Sequence, residues 1–145
     1  MLPAVFLPHE SIHFSIALFL SLLVFRKFRS IKLTLAVLAA SFLVDLDHLF
    51  DYFYYTGDLK FWEYFLGMNI FTTSQKVFVL AHSWELAIFL GIWGWRRRHL
   101  LAASISLAIA GHLLVDQLTW TPNPLAYFLI FRAANNFSLT WFNGL

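Results

Sequence analysis

Four apolar stretches, each close to the length of a membrane-crossing helix, run about 8–25, 31–52, 77–95 and 100–120. A bilayer core about 30 Å thick needs roughly 20 helical residues, with a usable range of about 17–25. Inside hydrocarbon the backbone must satisfy its own hydrogen bonds, which leaves helices or a closed barrel. Helical lengths therefore predict an all-α integral membrane four-helix bundle, with residues 1–145 as one membrane domain. Composition agrees: 60% of the 145 residues are hydrophobic and 12% are charged, against about half and a quarter in soluble domains. The absence of cysteine excludes disulfides and thiolate metal ligands. The opening "MLPAVFLPHE" lacks a basic n-region and a small-residue cleavage site. The first apolar segment is accordingly expected to be a retained span and not a signal peptide.

Charge distribution predicts the orientation. The short connections "RKFRSIK" and "RRRH" hold Arg26, Lys27, Arg29, Lys32, Arg96, Arg97 and Arg98, seven of the ten Lys and Arg residues. Short loops rich in Lys and Arg stay cytoplasmic. Both termini and the 53–76 connection are then expected outside, in a multi-pass protein of the cell's inner membrane. Phe61, Trp62, Tyr64, Phe65, Ile70 and Phe71 in that connection suit an interfacial segment, as do Tyr127, Phe128, Phe131, Trp141 and Phe142 in the tail. Such segments either anchor the protein as an aromatic belt or cap a site and route lipid to it.

The stretch "SFLVDLDHLFDY", residues 41–52, is where the apolar pattern breaks. It places Asp45, Asp47, His48 and Asp51 within seven positions of the second span. Measured at 1.5 Å per helical residue from the basic loops, ionisable groups of all four spans fall roughly 17–28 Å above the cytoplasmic face. They are His9 and His13, then Asp45, Asp47, His48 and Asp51, then His82 and Glu85, and finally His112 and Asp116. Their spacings suit single helix faces, i,i+4 for His9/His13, Asp47/Asp51 and His112/Asp116, and i,i+3 for Asp45/His48 and His82/Glu85. A lone intramembrane His is usually a hydrogen-bonded packing residue. An ionised side chain there costs at least about 2.5–3.5 kcal/mol. Pairs on four helices at one depth are tolerable when they face inward and neutralise one or two divalent cations. Imidazole and carboxylate are the ligand set for zinc, with manganese, iron or magnesium as the other expectations. Asp51 divides evenly between that site and a solvated interface. Glu10 reads as a surface residue of the first turn, His99 as part of the basic cap, and Asp58 and Glu63 as outer-connection residues.

These motifs resemble the YdjM-like inner-membrane proteins, described as predicted metal-dependent hydrolases. The strongest likeness is "GHLLVDQLTWTPNPLAYF", residues 111–128, where His112, Asp116 and Thr119 match a Gly-x-x-x-His-x-x-x-Asp-x-x-Thr type of run followed by Pro and aromatics. "DLDH" at 45–48 resembles the family's acidic-His motif, "AHSWE" at 81–85 its Thr-His-Ser element through His82 and Ser83, and His13 an early His. Phe78 and Val79 stand where the family often has a His-Arg pair, and Ala81 stands for the Thr. The resemblance implies a metal-dependent hydrolase. A looser likeness of pattern extends to the helical zinc-dependent phospholipases C.

The resulting expectation is a membrane hydrolase with a divalent metal near the outer leaflet, acting on a lipid or lipid-linked phosphoester. The expected ligands are His13, Asp47, His48, His82, His112 and Asp116, with Glu85 or Asp45 as general base or supporting carboxylate. Membrane lipid is the expected partner and nucleic acid is not. The rivals are a metal-binding subunit or metal or proton carrier without hydrolytic chemistry, and a ceramidase-like zinc amidase. The cytoplasmic halves of the spans, such as "LTLAVLAA" and "LLAASISLAIA", are nearly free of charge, which suits a one-sided pocket better than a conduit.

Overall fold

The computed structural model describes residues 6–57 and 74–143. The expected interfacial residues Phe61, Trp62, Tyr64, Phe65, Ile70 and Phe71, together with Asp58 and Glu63, lie outside them. The described chain is helical: α1 (Phe6–Phe28), α2 (Ile31–Leu43), a 3₁₀ turn (Val44–Leu46), α3 (Asp47–Thr56), α4 (Trp84–Arg96), α5 (Leu100–Thr119), α6 (Leu129–Ala134) and α7 (Leu139–Asn143). Among the described residues the one trace of β structure is an isolated bridge between Lys76 and Ser138.

Among the described residues, three helical runs are long and apolar enough to cross a membrane: His9–Phe28, Ile31–Thr56 and Leu100–Thr119. The third expected span, 77–95, is corrected. Its helix is α4, 13 residues long, and it starts at Trp84. Ser83 is the N-cap, in an extended conformation, with its side chain accepting from Leu86 N. Serine at that position satisfies an orphan N–H, which is why the helix begins there. Residues 77–83 form a non-helical strap instead. His82 precedes the cap, so it does not share a helix face with Glu85, and its height is not set by a helical rise.

The second span is also interrupted. The 3₁₀ turn at Val44–Leu46 separates α2 from α3 inside "LVDLDH". Asp45 sits in the turn and Asp47 begins α3, so the tighter winding re-aims both carboxylates. At the far end Gly57 closes α3 in the left-handed conformation, φ 66°, with its N–H on Phe53 O.

Helix α5 is the centre of the packing and touches α1, α2 and α4. Small residues allow close approach. A Cβ on Gly111 would stand 2.5 Å from Leu20 Cδ1 of α1, and one on Gly94 2.7 Å from Ala103 N of α5. The distribution of side chains is inverted relative to a soluble protein. Phe14, Phe19, Leu22, Leu35, Phe89 and Leu118 are exposed, while His9, His13, Asp51, His82, His112 and Asp116 are buried. Tyr127 departs from the expected interfacial tail. It is buried in a cluster with Ala87, Ile109, Leu113 and Ala126, whereas Trp141 is exposed.

Candidate metal centre

Four donor atoms converge from three places in the chain. They are Asp45 Oδ1 on the 3₁₀ turn, His82 Nε2 on the strap, and His112 Nε2 and Asp116 Oδ2 on α5. The two imidazole nitrogens are 3.2 Å apart. Asp45 Oδ1 lies 3.2 Å from each of them. Asp116 Oδ2 lies 3.2 Å from His112 Nε2 and 3.8 Å from His82 Nε2. Ligands about 2.0–2.1 Å from a tetrahedral zinc are separated by edges of about 3.3 Å. The three mutual separations of Asp45, His82 and His112 match one face of that polyhedron, and Asp116 Oδ2 adjoins that face on the His112 side.

Hydrogen bonding on the far side of each ring fixes which nitrogen faces the cluster. His112 Nδ1 is 2.9 Å from Ser41 O, a carbonyl that can only accept, so Nδ1 carries the proton. His82 Nδ1 is 2.8 Å from Asp47 Oδ1, and a carboxylate makes the same assignment there. Both Nε2 atoms of the neutral rings then present lone pairs to two carboxylate oxygens. Four mutually facing acceptors require a positive charge between them, either protons on the imidazoles or a cation. Imidazoles whose outer nitrogen is held by a carbonyl or carboxylate are the usual arrangement of metal-ligating histidines.

The strap that delivers His82 is held by polar groups from other elements. Asp47 Oδ2 accepts from Ala81 N at 2.7 Å and His82 N at 3.1 Å. Asp51 Oδ2 accepts from Phe78 N at 2.9 Å and Val79 N at 3.3 Å. From the opposite side the buried Arg132 guanidinium donates to the carbonyls of Phe78, Val79 and His82 at 2.8, 3.1 and 2.7 Å. Burial lowers the pKa of Arg132, and the charges of Asp47 and Glu85 oppose that shift. Val79 has φ 29°, a left-handed conformation costly for a β-branched residue. Such a position persists where its surroundings over-determine it, which here means Asp51 on one face and Arg132 on the other.

The expected residues separate into distinct places. His13, Asp45, His82, His112 and Asp116 contribute to groups of donor atoms that could hold a metal ion. Asp47 and His48 form another such group with His82, and the Asp47 oxygens also accept from the strap backbone and orient the His82 ring. His48 stands at the rim, its Nε2 4.0 Å from Asp45 Oδ1 and its ring 4.6 Å from that of His82. Asp51 is fully buried, which corrects the solvated alternative. Glu85 does not join the cluster. Its oxygens accept from Leu129 N and Ile130 N, each at 2.9 Å, and so cap α6. His99 caps α5 by accepting from Ala102 N.

The expected set of ligands and bases leaves out three residues. Ser41 contributes through its carbonyl, which no sequence pattern marks. Arg132 lies in the tail, where a lone arginine among apolar residues was the available signal. His9 was visible as the i,i+4 partner of His13. The cluster opens on one side, with side-chain exposure of 40% at Asp45 and 25% at His48 against 2% at His82 and 3% at His112. No family model, curated protein or solved structure matches the chain.

Proposed function

We propose that the protein is a membrane-embedded, metal-dependent hydrolase that acts on a lipid or lipid-linked phosphoester. The observation that carries this reading is the three-donor face of Asp45, His82 and His112, whose edges fit a small divalent cation, with Asp116 adjoining it beside His112 and its Asp45 side open. A structural metal site is closed by protein, whereas a catalytic one keeps a position accessible. Zinc is the preferred ion from the donor chemistry. When bound, such an ion lowers the pKa of a water molecule and polarises a phosphoryl or carbonyl oxygen.

The chain's own residues supply the rest. Hydrolysis joins a water oxygen to phosphorus, breaks the ester P–O bond and transfers a proton to the leaving alcohol. His48, at the open rim, is placed to hold and return that proton. Asp47 keeps His82 in its tautomer, and Ser41 does the same for His112. The outward apolar faces would bring a lipid headgroup alongside the rim, within a bundle whose α4 packs against α5. In this reading both termini face the outer side of the inner membrane, because the basic tips at 26–32 and 96–98 remain cytoplasmic. The likeness to the YdjM-like proteins supports the same chemistry. A non-catalytic metal-binding subunit would share the donors but has no use for an open edge.

The test is a hydrolysis screen on protein reconstituted in lipid vesicles, with phosphoester, acyl ester and acyl amide lipids. Phosphoester cleavage should require added divalent metal, disappear with chelator and fall by roughly 10²–10⁴-fold in His48→Gln. Absence of turnover on all three classes by metal-loaded protein would overturn the enzyme reading.

A further inference from the structure

Asp116 offers its two oxygens to two different sets of donors. Oδ2 belongs to the cluster with His112 and His82. Oδ1 faces the other way, 2.9 Å from His13 Nε2 and 3.4 Å from His9 Nε2. The two histidine nitrogens are 2.9 Å from each other. All three residues are buried, with His9, His13 and Asp116 at 8%, 5% and 5% exposure. Three donors thus enclose a second centre whose edges resemble those of the first.

His9 is oriented as a ligand would be. Thr119 Oγ1 donates to Val115 O at 2.8 Å, so its single proton is committed there. Toward His9 Nδ1, 3.1 Å away, Thr119 therefore accepts, and Nδ1 carries the ring's proton. The unprotonated His9 Nε2 then lies beside Asp116 Oδ1 and His13 Nε2. His13 bridges the two regions in space, its ring 4.0 Å from that of His112. Three nitrogen and oxygen atoms packed this closely are held either by a proton on His13 Nε2 donated to Asp116 or by a cation between them. One competitor is present: the Trp120 indole N–H lies 2.6 Å from His9 Nε2. Trp120 is half-exposed, so its ring has solvent or lipid to turn into when a cation takes that lone pair.

We propose that His9, His13 and Asp116 Oδ1 form a second divalent-cation site, and that Asp116 bridges two ions. The proposal rests on the reading of the first cluster as a metal site. Two cations sharing a carboxylate would be placed to stabilise both the attacking and the leaving oxygens of a displacement at a lipid phosphoester.

The experiment is metal stoichiometry of detergent-purified protein with Mn²⁺ as the probe, read by mass spectrometry and by electron paramagnetic resonance. Wild type should bind about two equivalents and give the spectrum of an exchange-coupled pair, as expected of a two-metal site. His9→Gln should bind one equivalent and give the spectrum of an isolated ion, and its retained equivalent shows that the protein is folded. Trp120→Phe, which removes the competing donor, should keep the coupled spectrum. A wild type that saturates at one uncoupled equivalent, unchanged in His9→Gln, overturns the bridge while leaving the first site intact. A wild type that binds no metal overturns both readings.

Discussion

Glu85 shows how a single carboxylate can be misread from spacing alone. On a continuous helix it would sit one turn from His82 and could serve as a base. In the structure Ser83 starts the helix between them, and the Glu85 oxygens cap α6. Glu85→Gln is therefore expected to act on stability. It weakens a charge-assisted cap and should lower stability by about 0.5–2 kcal/mol, seen as an earlier thermal transition by circular dichroism in detergent. Metal content and turnover should stay at wild-type levels. Loss of metal with an unchanged transition would return Glu85 to the site. Asp45 is the opposite case, since its Oδ1 touches both Nε2 atoms while its side chain is 40% exposed.

At the scale of elements, the strap at 77–83 and the 3₁₀ turn at 44–46 decide the site. Both were opaque in the sequence for physical reasons. "VFVLAHSWELAIFLGIWGW" is mostly apolar, and hydropathy cannot separate a helix from a non-helical strap. The backbone donors of the strap are satisfied by Asp47 and Asp51 from another element, and no local pattern encodes a partner about thirty residues away. The Ser83 cap was legible in principle, as Ser followed by an apolar run. Asp51→Ala tests the strap. It leaves the N–H groups of Phe78 and Val79 buried without their acceptor, at about 1–3 kcal/mol each. Because His82 is carried by the same strap, zinc affinity measured by chelator competition should also fall, by about 10–100-fold. An affinity equal to wild type would show that His82 is positioned without the Asp51 clamp.

For the whole molecule, much was legible because the membrane imposes simple rules. Length and hydropathy located α1, the α2–α3 run and α5, and the helical class followed. His13, Asp45, His112 and Asp116 come together because each lies on or beside a helix with one end at a basic tip. Helical rise could not place His82, which reaches them from a loop. Side-chain roles divided where spacing stops and contact begins. Asp47 and His112 are indistinguishable as sequence candidates, yet one orients a ring and the other presents a lone pair. The central claim is that Asp45, His82, His112 and Asp116 hold a divalent cation. Its most direct test is the zinc content of detergent-purified, zinc-reconstituted protein after dialysis. Wild type should retain zinc, His82→Asn and His112→Asn should each lose most of that held by the four-donor cluster, and His99→Asn, altered at the opposite end of α5, should match wild type. Equal zinc in all four proteins, or none in wild type, would contradict the account.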